Sequence, residues 1–222
     1  MGFSSILDLF RKDNWSNELV EKICTMLDLA ADMYGYAVGV IVYDEPDDNP
    51  QEEIYNRDKK INVLQRQIRQ RVVSRLATTS SRAEIPSALI FMNAVKDVER
   101  IGDYMKNLYE VRALMCDDPD RKVLQEYLVG RSRTIEDMFA VTAQAFSESD
   151  KEKANDIIQR ARTLGSEAEK AIREVTRSDL VVCDAVCLVL ALRFYKRIAA
   201  HMSNVATSVV MPVDLLDFHD EP

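Results

Sequence analysis

The string Arg100-Ile101-Gly102-Asp103-Tyr104-Met105-Lys106-Asn107 is echoed by Arg197-Ile198-Ala199-Ala200-His201-Met202-Ser203-Asn204, with Arg, Ile, Met and Asn at matching offsets. Both copies fall near the end of an apolar-periodic stretch, the third and the sixth in the chain. Equivalent places in two halves of three stretches each point to duplication of a three-helix unit. The chain is thereby expected to be all-α, two tandem three-helix bundles.

Those stretches cover roughly 16–43, 51–78, 83–115, 119–147, 150–175 and 179–210. In the second, Ile54, Ile61, Leu64, Ile68 and Val72 share one side of a 3.6-residue period. The first ends in the Val-rich run Ala37–Tyr43, which also suits a strand; it is read as helix because no partner strand exists. Asn49-Pro50-Gln51-Glu52, Ser81-Arg82-Ala83-Glu84, Asp118-Pro119-Asp120 and Ser149-Asp150-Lys151-Glu152 carry N-terminal capping chemistry, and Pro212 closes the last run. Trp15 is expected to cap or staple the first helix. The division is 1–116 for the first repeat, 117–211 for the second and 212–222 for an acidic tail.

Six Gly and six Pro in 222 residues disfavour a turn-rich sandwich or barrel. With 29 basic and 37 acidic residues the net charge is −8, which argues against nucleic acid as a partner. Two histidines, His201 and His219, exclude a site built from several imidazoles. Cys24, Cys116, Cys183 and Cys187 form no CxxC. They are expected to be reduced, buried hydrophobes, although Cys183 and Cys187, one turn apart, would be placed to share a metal. The start MGFSSI lacks Ser or Thr at the sixth position of a myristoylation signal. Phe3, Ile6, Leu7, Leu9 and Phe10 suit a short amphipathic turn against the bundle. The apolar stretches Ala37–Tyr43 and Val181–Ala191 are too short or interrupted to span a bilayer, so the expected location is cytoplasmic.

Chemistry concentrates in the third stretch. A turn of about 100° per residue stacks Glu99, Asp103 and Asn107 in one stripe. Val95, Val98, Ile101, Met105 and Leu108 lie opposite and should form core, which turns the stripe outward. Two carboxylates four residues apart hold a hard cation between them, with iron, manganese, magnesium or calcium favoured over zinc. Asp58, with Asn62 one turn on, completes a shared site if the second and third helices pack antiparallel. A solvated acidic face is the bland alternative, and Lys96 and Lys106 are near enough to neutralise the stripe without metal. Arg66, Arg69, Arg71 and Arg75 point in different directions and read as a salt-bridged helix. Asp184, inside an apolar run, suits a buried hydrogen bond or ion pair, and His201 reads as a surface residue.

Asp97-Val98-Glu99-Arg100-Ile101-Gly102-Asp103 followed by Asn107 resembles the signature of the PhoU family of phosphate-uptake regulators. Asp58-Lys59-Lys60-Ile61-Asn62 resembles that family's acidic element in its second helix. The resemblance implies two tandem three-helix bundles and a multinuclear iron or zinc cluster held by acidic motifs on the bundle surface. Carried onto this sequence, it assigns Glu99 and Asp103 as metal ligands, Asp58 as a third and Asn107 as support. The second half departs from the pattern. Lys196 stands for the motif Glu, Ala200 for the Asp and Ala161-Arg162-Thr163-Leu164-Gly165 for the helix-two element, so a second cluster is not expected.

The same resemblance implies a non-enzymatic regulatory adaptor. It would contact a membrane-associated sensor histidine kinase or the ATPase of a phosphate transporter and reach the membrane only through them. A bundle with exposed helical faces, for its part, suits a homodimer. The alternatives are a metal-free helical scaffold and a di-metal carboxylate enzyme. The enzyme lacks support from any Glu-x-x-His pair, GxSxG or GxxxxGK[ST] string.

Overall fold

The Val-rich run Ala37–Tyr43 is helical: it forms the last turns of α1 (Asn14–Tyr43) in the computed structural model, which describes residues 14–213. Five more α-helices follow: α2 (Arg57–Thr78), α3 (Ile85–Glu110), α4 (Arg121–Glu148), α5 (Lys151–Val175) and α6 (Val182–Val210). Short 3-10 turns precede and follow α3, and the described residues contain no strand. The amphipathic start and most of the acidic tail lie outside the described residues. By length and composition α1 would cross a membrane, but most of its apolar stretch is buried inside the protein, as expected of a core helix.

Apolar periodicity decides which helix faces meet. Ile54, Ile61, Ile68 and Val72 are buried, as are Val95, Val98, Ile101, Met105 and Leu108. Helices α1, α2 and α3 pack on one another, and so do α4, α5 and α6. The two triplets are joined where α3 meets α6 and α1 meets α4, and one continuous apolar core runs through all six helices. Aromatic contacts cross the junction. Phe91 on α3 meets Phe146 on α4 at 6.4 Å, and Tyr34 on α1 lies 6.0 Å from Tyr195 on α6. The buried Tyr34 hydroxyl donates to the carbonyl of Ser132 at 3.2 Å, so its polar end is not left unpaired.

The helix starts are placed near the expected positions, but different atoms make the caps. Ahead of α2 the chain forms a π-helical turn, Gln51–Asn56, whose N-cap Pro50 offers no side-chain bond. Asn49 does not cap; its N–H donates to the Tyr36 hydroxyl at 3.3 Å. Asp120, rather than Asp118, caps α4 by accepting from the Val123 N–H at 3.1 Å. Asp150, rather than Ser149, caps α5, accepting from Glu152 and Lys153 N–H at 3.0 and 3.1 Å. Ser149 takes φ 54°, the left-handed conformation that ends α4. Ser81 makes no side-chain cap bond before α3. The buried Glu84 carboxylate instead takes the fork of Arg75, at 2.7 and 2.8 Å. Trp15 is a core residue rather than a cap: its ring meets Phe91 edge-on at 5.8 Å, with the Arg75 guanidinium 5.7 Å from its centroid.

The cysteine expectation is corrected. Cys116, in the connection before α4, is disulfide-bonded to Cys183 on the first turn of α6, with Cα atoms 5.7 Å apart. Both are half-buried. Cys183 therefore does not join Cys187, which is buried with its thiol 3.8 Å from the Val111 carbonyl. The reason is non-local. The α3–α4 connection folds back over the start of α6, where Asp184, 3% exposed, accepts from the Asp120 N–H at 3.2 Å. Cys24 remains a free thiol, pushed up to about 11 by burial and then by Asp28.

Candidate metal site

Close approach of α2 and α3 builds this site. At Gly102 a Cβ would meet Ile61 Cδ1 at 3.0 Å, so the glycine lets the α2 backbone sit near the acidic face of α3. One turn from Ile61, Asp58 stands opposite Asp103, and Lys106 fills the space between them. Its ammonium lies 3.3 Å from Asp58 Oδ2 and 3.5 Å from Asp103 Oδ1. Asn62 donates to the same Asp58 oxygen at 3.3 Å. Arg100 binds Asp103 Oδ2 at 3.1 Å and reaches Glu99 Oε2 at 3.9 Å.

The stripe is not turned to open solvent, as the sequence suggests. The side chains of Asp58, Glu99 and Asp103 are 13%, 19% and 30% exposed, half-buried where α2 covers the edge of α3. Burial, followed by the neighbouring Asp103 charge, raises the Glu99 pKa, against the pull of Arg100 and Arg69. Burial pulls the Lys106 pKa down, but Asp58 and Asp103 outweigh it, and the net shift is upward. Two carboxylates that face each other across an ammonium offer oxygen ligands of the kind a hard cation takes. The three carboxylates do not bring an oxygen each to within 4.8 Å of one another, and the space between Asp58 and Asp103 is taken by Lys106.

Asn107 lines a cavity of about 470 Å³ between α3 and α6, together with Asp103 of the stripe and with Arg100, Tyr104, Arg197 and His201. His201 is not a surface residue. Its Nδ1 lies 2.8 Å from Oδ1 of Asp97, which is 1% exposed, and its ring stacks on Tyr104 at 5.6 Å. Asn204 donates to the same Asp97 oxygen at 3.1 Å. The one sign of Asp97 in the sequence is its place on the same helical face as Ile101, Met105 and Leu108, where an acid is out of place. At the repeat-equivalent position to Glu99, Lys196 forms an ion pair with Glu169.

Among the described residues, three ligand-type side chains within 4.8 Å of one another occur at Cys116, Cys183 and Asp184. Cys116 Sγ lies 3.3 Å from Asp184 Oδ1. With the two sulfurs bonded to each other, neither thiolate is available to a metal.

Residues 23–111 match the PhoU domain family. No curated protein sequence matches the chain. The structure is similar to the crystal structure of PhoU from Pseudomonas aeruginosa, with TM-score 0.75 and 21% identity over 87% of this chain and 94% of that one. It is also similar to the phosphate transport system regulatory protein PhoU from Streptococcus pneumoniae, with TM-score 0.76 and 19% identity over 87% and 92%.

Proposed function

We propose that this chain is a non-enzymatic regulator of phosphate transport, since residues 23–111 match the PhoU domain family and the described helices have the fold of PhoU structures. In this reading 1–116 and 117–211 are two repeats of one unit, the second having lost its acidic set. The regulator works in the cytoplasm as an adaptor, docking through exposed helical faces on a sensor histidine kinase or a transporter ATPase. The match of residues 23–111 carries the regulatory reading, because that segment contains Asp58, Glu99 and Asp103 and ends before the second half.

Metal binding is the finer part of the proposal. Asp58, Asp103 and Glu99 hold one iron or zinc centre on the first repeat, with Asn107 a support only if its side chain turns from the α3–α6 cavity. The Lys106 ammonium, already between Asp58 and Asp103, favours a second reading, a metal-free scaffold in which lysine does the work of the cation. Metal titration of the native chain against Glu99→Gln/Asp103→Asn separates the two, since the variant keeps shape and removes charge. Uptake by the native chain alone supports the centre; equal uptake, or none, leaves the metal-free adaptor. Affinity capture with the intact chain against a sensor kinase and a transporter ATPase from the same source tests the adaptor itself. Failure to retain either one removes that role.

A further inference from the structure

The α3–α6 seam is organised around the two copies of the repeated string. Its contacts run antiparallel: Asp97 meets His201 and Asn204, and Tyr104 meets Phe194 at 6.0 Å. In the repeat, His201 corresponds to Tyr104 and Phe194 to Asp97. A polar pair at one end of the crossing is thus answered by an aromatic pair at the other. Arg100 and Arg197, also equivalent, both line the cavity between them. Two guanidinium groups at matching positions of the repeated string thus share one concavity in a protein whose net charge is −8.

The donors there are arranged for an oxyanion. Arg197 is exposed and has no ion-pair or hydrogen-bond partner among the described residues. Asp103 at 3.1 Å and Glu99 at 3.9 Å balance Arg100, so the unpaired charge on the cavity wall is that of Arg197. A carboxylate accepts and does not donate, so His201 Nδ1 carries the hydrogen towards Asp97 and Nε2 is left for the cavity. Stacking on Tyr104 and the buried Asp97 hold that ring in place. The other ring nitrogen pairs with phosphate in either state: it accepts from a P–OH when neutral and donates to a P–O when protonated. Asn107 adds an amide donor free of other partners among the described residues. Planar guanidinium forks suit phosphoryl oxygens, and about 470 Å³ is roomy enough for more than one phosphoryl group.

We infer that the cavity between α3 and α6 binds a phosphoryl anion, held by Arg197 and Arg100 with His201 and Asn107 completing the donor set. The site adjoins the carboxylate cluster facing α2, sharing Asp103 with it, and requires no metal. Calorimetric titration of the full chain, freed of metal by chelation, tests it with orthophosphate, pyrophosphate and ADP as separate probes. Arg197→Gln is the informative variant because its side chain supports nothing else, and Arg193→Gln removes the same charge from α6 outside the cavity. Loss of about tenfold or more in affinity in Arg197→Gln, and not in Arg193→Gln, is expected. If orthophosphate shows that pattern the ligand is free phosphate; if only pyrophosphate or ADP shows it, the ligand is a phosphorylated metabolite. Absence of binding by all three probes at concentrations on the order of 10 mM, or equal affinities in the two variants, overturns the inference.

Discussion

Glu99 is held at a cost. Its pKa is raised by burial and by Asp103, so its ionised form is less favourable in the folded chain than in the unfolded one. A carboxyl group raised in this way contributes its full stability below the unfolded value, about 4.3, and loses it as pH climbs through the folded value. Glu99→Gln is therefore expected to raise the urea midpoint at neutral pH. The gain should vanish below the ordinary carboxylate range; a gain unchanged at low pH would mean that charge is not its origin. Lys106 works in the opposite sense. Its ammonium offsets the repulsion between Asp58 and Asp103, and removing it leaves two facing carboxylates without a cation. If a metal belongs there, Lys106→Gln should tighten divalent-metal binding on the order of tenfold and lower the stability of the metal-free protein. Weaker metal binding by the variant would show that Lys106 supports the centre rather than competing with it.

At the level of helices, the metal candidate depends on how closely α2 approaches α3, and Gly102 sets that distance. A side chain there must push into Ile61, whose Cδ1 would already be 3.0 Å from a Cβ. Gly102→Leu should destabilise the fold by about 1–3 kcal/mol, because the crowded atoms belong to a buried contact. It should also separate Asp58 from Lys106, which a lowered Lys106 pKa would report by NMR; an unchanged value would show that α2 repacks without moving Asp58. Helical packing of this kind was only half legible in the sequence. The buried sets Ile54, Ile61, Ile68, Val72 and Val95, Val98, Ile101, Met105, Leu108 follow from local period, so they could be read directly. Asp97 with His201 and Lys106 with Asp58 could not, because they depend on which helices cross and in what direction. The repeat held a partial answer, placing Arg100 and Arg197 at equivalent positions, but equivalence in sequence does not specify contact in space. Cap residues slipped by one or two positions because Asp118 and Asp120, or Ser149 and Asp150, offer the same chemistry, and only backbone geometry chooses between them.

Across the whole molecule, the Cys116–Cys183 bond has the longest consequence, since it ties the connection between the two triplets to the start of α6. The bonded residues are 67 apart in sequence, and closing a loop of that size in the unfolded chain removes much of its conformational freedom. On the loop-entropy account such a bond stabilises by about 4 kcal/mol. The α6 start also depends on local contacts, because Asp184 takes the Asp120 N–H and lies beside Cys116 Sγ. Reduction should therefore loosen the connection before it unfolds the helices. The urea midpoint should fall on adding a thiol reductant and fall equally in Cys183→Ser, with no further loss when the variant is reduced. Alkylation after denaturation without reductant should label Cys24 and Cys187 alone, leaving Cys116 and Cys183 protected. Labelling of all four cysteines, together with a midpoint indifferent to reductant, would restore the reduced thiols that the sequence suggests and leave the connection held by Asp184 and core packing.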